Sequence, residues 1–106
     1  MLFRSGDYLR AKLLELQDKH PLIGDVRGMG LMQAIELVQD RQSKAPASAE
    51  ALRLMEAARE NRILIGRGGL EGNVIRISPP MNIGRSDVDD FIVALDRSFS
   101  QVSSHS

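Results

Sequence analysis

The chain has 106 residues, 42% of them hydrophobic, enough for one modest core and too few for a two-domain enzyme. Lys+Arg and Asp+Glu both number 14, and the four aromatic residues are Phe3, Tyr8, Phe91 and Phe99. A neutral chain with so few rings has neither a phosphate-tracking stripe nor a base-stacking platform, so no nucleic-acid partner is expected.

Cysteine is absent, which rules out a disulfide framework or thiolate site. The start "MLFRSGDYLR" has no apolar leader, and no run approaches the length of a membrane span. The expectation is a soluble, cytoplasmic chain with no membrane partner. Residues 1–106 read as a single domain, with 103–106 as a disordered tail.

Leu9, Leu13 and Leu16 recur at helical spacing, and "HPLIG" ends that helix through Pro21 and Gly24. "DVRGMG" then leads into the strand "LMQAIELV". There Leu31, Ile35 and Leu37 share one face with Gln33, and Met32, Ala34 and Val38 share the other with Glu36. Two mostly apolar faces place this strand centrally in its sheet.

"QDRQSKAPAS" is polar and aperiodic, a surface connection. Ser48 is the expected cap of a second helix whose stripe is Ala51, Leu54, Met55 and Ala58, with Asn61 as a left-handed stop. "ILIG" reads as a short strand, "GRGGLEGN" as its connection to "VIRIS", and Pro79 and Pro80 as the end of that strand. "SDVD" at 86–89 fits a capping pattern for a last helix that buries Val88, Phe91, Ile92, Leu95 and Phe99.

This order predicts a two-layer α+β domain, a mainly antiparallel sheet of three to four strands with helices on one face. In "VIRIS" the isoleucines point one way, and Val74, Arg76 and Ser78 the other. With the isoleucines under the helices, Arg76 lies on the uncovered face. An apolar patch around Val74 would then allow self-association through that face.

Several features invite a catalytic reading and do not sustain it. "GRGGLEG" and "GMGLMQ" run into predicted strands, whereas a dinucleotide fingerprint must open a helix. His20 and His105 have no cysteine to join them, so no metal site is expected. Lys12, Lys19 and Lys44 sit on a polar helix face, at a helix end and in a loop, too solvated for a Schiff-base amine. Asp25, Glu36 and Glu71 form no base-and-nucleophile constellation, so no catalytic residue is assigned. Arg76 stays open. A guanidinium needs a partner or water, and its partner is either an acid such as Glu36 on a neighbouring strand or a substrate carboxylate.

"GDVRGMGLMQAIELVQDR", followed by "ILIGRGGLEGNVIRISPPM" and a closing amphipathic helix, resembles the C-terminal small domain of class III pyridoxal-phosphate-dependent aminotransferases. "GRGGLEGN" favours the alanine–glyoxylate branch. The resemblance runs over about residues 8–102.

The resemblance implies amino-group transfer from an amino acid to a 2-oxo acid such as glyoxylate or pyruvate. It assigns Arg76 to the substrate's α-carboxylate, and places Arg27, Gly28 and Gly30 in a loop near the active-site entrance, with a role in shape. It also implies that pyridoxal phosphate and its lysine belong to a large domain preceding residue 1, in a dimer with a second subunit. This chain would then bind no cofactor and be inactive alone, as an expressed fragment or truncated gene product. The alternative is a free-standing binding or interaction module that kept the fold without the chemistry.

Overall fold

A computed structural model describes residues 5–29, 32–78 and 84–103. Helix α1, Ser5–Lys19, buries Leu9, Leu13 and Leu16 as their spacing requires. The Gln17 carbonyl in its last turn and the His20 carbonyl just beyond it accept hydrogen bonds from Arg41 in the distant loop after the second strand. The Gln17 carbonyl, one of the last four that a helix cannot satisfy internally, is thus capped by a side chain.

The segment read as a lead-in is itself a strand, β1, Ile23–Met29, pairing antiparallel with β2, Met32–Leu37. A β-bulge between Ile23 and Asp25 explains why pattern reading passes over it. The extra residue lets both Ile23 and Val26 face the core at a three-residue spacing that no regular strand has.

The sheet order is β1-β2-β4-β3, antiparallel throughout, so β2 is central as expected. Strand β4 is Val74–Ile77, with Ile75 and Ile77 buried and Arg76 exposed. Strand β3 is Gly66–Gly68, not "ILIG". The preceding residues are taken up in closing helix α2, Ser48–Glu60. Arg62 holds the left-handed conformation (φ 63°), and the Ile63 amide donates to Ala58 O at 2.9 Å.

Asn61 is therefore not the left-handed stop, having φ −88°. Its side-chain amide donates to Ala57 O and Ser98 Oγ, each at 2.9 Å, and ties α2 to the last helix. Ser48 is the first helical residue rather than the cap, which is Ala47. Its hydroxyl instead donates to Glu71 O in the β3–β4 turn.

The last helix, α3, spans Arg85–Ser103. Ser86 is inside its first turn, and the capping contact comes from Asp87, whose carboxylate accepts the Gly84 N–H at 3.2 Å. Val88, Leu95 and Phe99 are buried, and Phe91 and Ile92 pack partly against the core. Ser103 closes the helix, whereas Pro79, Pro80 and residues 104–106 fall outside the described residues.

The three helices cover one sheet face, where Ile23, Ile35, Leu37, Ile75 and Ile77 meet Leu13, Leu54 and Phe99. The fold is the expected two-layer α+β arrangement. Strand register puts two rows on the opposite face: Asp25, Glu36, Val74 and Gly68, then Arg27, Ala34, Arg76 and Gly66. Every residue of these rows is exposed or half-buried. Val74 is half-buried between Glu36 and Gly68, so charged groups interrupt the expected apolar patch.

Candidate functional site

The buried isoleucines on either side of Arg76 hold its strand so that the guanidinium must leave through the open face. Among the described residues the Arg76 guanidinium makes no hydrogen bond or ion pair. The acid in the next row, Glu36, is already engaged. Its Oε1 accepts from Arg27 Nη1 at 2.8 Å, and the same nitrogen lies 3.1 Å from Asp25 Oδ2. The hydrogen bond to Glu36, then that to Asp25, raise the Arg27 pKa and keep the guanidinium charged.

Arg27 and Arg76 thus share one row, with Ala34 between them. One cation is neutralised within the sheet and the other is available. Arg76 borders an open depression of about 390 Å3 lined also by Met32, Leu64, Ile65, Gly66 and Ser78. Met32 and Leu64 are 66% and 94% exposed, so the cation is flanked by solvent-facing apolar surface.

Gly28 serves shape. It has φ +140°, and a Cβ there would overlap Met32 O and lie 2.7 Å from Gln33 Cα. Gly30 falls outside the described residues. The glycine stretch after Ile65 begins as strand β3 and turns at Gly69 (φ +84°) and Gly72 (φ +63°), leading into β4 rather than opening a helix.

His20 is a packing residue. Its Nε2 lies 2.6 Å from Asp96 Oδ1 and its ring stacks on Phe99 at 5.1 Å between centroids. Among the described residues no cluster of metal-ligating side chains occurs, and His105 lies outside them. Lys12 pairs with Glu15 at 3.7 Å, Lys19 with Asp96 at 2.5 Å, and Lys44 is on an exposed turn. These amines lack the burial that would suit one to pyridoxal phosphate, so the residues present do not fit the cofactor. No helix among the described residues is long and apolar enough to cross a membrane.

Sequence reading ended the strand at Gly66 and placed the rest of β3, Arg67 and Gly68, in a connecting loop. Their signal was present: Gly66 and Gly68 alternate as strand residues do, and their register partners are Arg76 and Val74.

The molecule is a small two-layer α+β domain whose exposed Arg76 guanidinium, on an open sheet face, has no partner among the described residues. Residues 2–99 match the aminotransferase class-III family model, and the chain belongs to that family. It is 50% identical over 97 residues to "alanine–glyoxylate aminotransferase 2 homolog 2, mitochondrial" of Arabidopsis thaliana, across 92% of this chain and 20% of that protein. It is 39% identical over 97 residues to isoleucine 2-epimerase of Lentilactobacillus buchneri, across 92% of this chain and 21% of that one. A solved Bacillus anthracis aminotransferase superposes with a TM-score of 0.85 at 31% identity, covering 92% of this chain and 23% of that chain. The chain therefore spans about a fifth of the length of the curated relatives it matches. Named aminotransferases and an epimerase share this domain, so the match establishes the family across its branches rather than one branch.

Proposed function

We propose that this chain is the small domain of a class III pyridoxal-phosphate-dependent aminotransferase of the alanine–glyoxylate branch. In it Arg76 receives the substrate's α-carboxylate during amino-group transfer from an amino acid to a 2-oxo acid such as glyoxylate or pyruvate. The observation that carries this reading is the contrast between the two arginines of one row. Glu36 is bound by Arg27, while Arg76 has no partner among the described residues and offers two parallel N–H donors that match a carboxylate. The similarity to a protein named alanine–glyoxylate aminotransferase supports the branch.

On this reading the cofactor and its lysine come from a large domain, and a second subunit completes the enzyme. The chain alone binds no cofactor and is inactive. Its open sheet face is where the large domain packs, and the isolated chain self-associates through that face. A monomer at high concentration in sedimentation velocity would argue against that last point.

The test uses the longer enzyme containing this domain. Arg76→Ala is expected to lower kcat/KM for amino-acid donors by about ten- to a hundredfold, the loss of a charge-assisted hydrogen-bonded pair. An amine donor without a carboxylate should lose little. Equal losses for both donors would remove Arg76 from substrate binding. A genuine start signal at Met1, with no upstream frame encoding a large domain, would favour a free-standing module.

A further inference from the structure

We propose that Gly68 is a positioning residue for Arg76, its missing side chain forming the bed across which the guanidinium lies; the kinetic part rests on the carboxylate role of Arg76 given above. Strand register sets Gly66 directly opposite Arg76 and Gly68 one row further along the same face. A Cβ on Gly68 would lie 2.8 Å from Arg76 Nη2, 3.0 Å from Cζ and 3.2 Å from Nε. The head of the side chain thus rests flat on Gly68. A Cβ on Gly66 would meet only Arg76 Cβ at 3.9 Å and its carbonyl at 4.0 Å, which is ordinary contact. Arg76 therefore runs diagonally over β3, stem beside Gly66 and head over Gly68.

The backbone does not require glycine at 68, since φ there is outside the left-handed region that disfavours other residues. The space is what matters. Strand β3 is the sheet edge away from β1 and β2, so this bed draws the guanidinium away from Glu36, the nearest acid in the register rows. A methyl group at 68 meets only the flexible end of a side chain, so the chain still folds. The head must then lift off β3, and its two parallel donors leave the orientation that the glycine bed sets for an incoming anion.

Two measurements test this. In the chain itself, the Arg76 Nε–H resonance should shift in Gly68→Ala and stay in place in Gly66→Ala; an unmoved resonance in Gly68→Ala overturns the positioning whatever the kinetics show. In the longer enzyme, Gly68→Ala should lower kcat/KM for amino-acid donors by about tenfold or more, mainly through KM, because small misplacements of a clamping group are costly. A carboxylate-free amine should be unaffected. Gly68→Ala added to Arg76→Ala should cause no further loss, since the glycine acts only through the arginine. A loss that persists in the Arg76→Ala background, or falls equally on both donors, overturns the proposal. If Arg76→Ala itself fails to distinguish the donors, the carboxylate role falls while the resonance still decides the placement.

Discussion

Arg27 holds Glu36 across the β1–β2 pair with an Nη1–Oε1 distance of 2.8 Å, and by doing so removes the acid that Arg76 would otherwise face. The pairing divides two chemically identical side chains into a sheet strut and an available cation. It also separates their stability effects. Arg27→Ala is expected to cost up to about 1 kcal/mol, the range of a partly exposed ion pair, and the cost should shrink in high salt. Arg76→Ala should stay within about 0.5 kcal/mol of wild type. Urea midpoints of the 106-residue chain at low and high salt compare the two. A larger loss for Arg76→Ala would mean that it is structural.

Gly28→Ala should be among the costlier single-methyl changes in the chain. The new Cβ meets backbone atoms of Met32 and Gln33, which cannot rotate away, and the φ of +140° is unfavourable for alanine. About 1–3 kcal/mol is expected from the backbone conformation alone. Urea unfolding beside Gly66→Ala, whose Cβ has room, checks this. Similar stability for the two variants would contradict it.

Asp96 links α3 to the end of α1. Burial pushes its carboxyl pKa up, but hydrogen bonds from Lys19 and His20 outweigh that and the net direction is down. A carboxyl whose folded pKa is depressed contributes stability above its unfolded value, about 3.9, and loses it as pH falls through the folded value. Asp96→Asn should thus cost about 1.5 kcal/mol near neutral pH. The gap from wild type should close in acid, beginning below about pH 4. Denaturation midpoints from pH 2 to 7 give the curve. A gap constant across that range would show that the carboxylate charge is not involved.

Tyr8 is the chain's one tyrosine and there is no tryptophan, so an ultraviolet titration reads it alone. Its hydroxyl donates to Asp89, and that hydrogen bond, with burial and the Asp89 charge, raises its pKa against the opposing pull of Lys12 and Arg85. Tyr8 should titrate above its ordinary value near 10, and Asp89→Asn should bring it down. An identical titration in the variant would show that the hydrogen bond does not form in solution.

Much of the molecule can be read from residues a few positions apart. Leucines at helical spacing place α1, the Val88–Phe99 stripe places α3, and the isoleucines beside Arg76 alone require the arginine to face away from the core. These are local consequences of side-chain direction, which repeats every 3.6 residues in a helix and every two in a strand. Tertiary structure decided what depends on partners elsewhere in the chain. The bulge disguised β1; Ser48 found Glu71 O, Asn61 found Ser98, and Arg41 found the end of α1. Above all, strand register chose Arg27 over Arg76 for Glu36 and set Gly68 beneath the Arg76 guanidinium. The sequence by itself determined that Arg76 is exposed, because alternation along one strand settles it. That it has no partner among the described residues follows only from the assembled sheet, because it depends on which residues the neighbouring strands bring alongside.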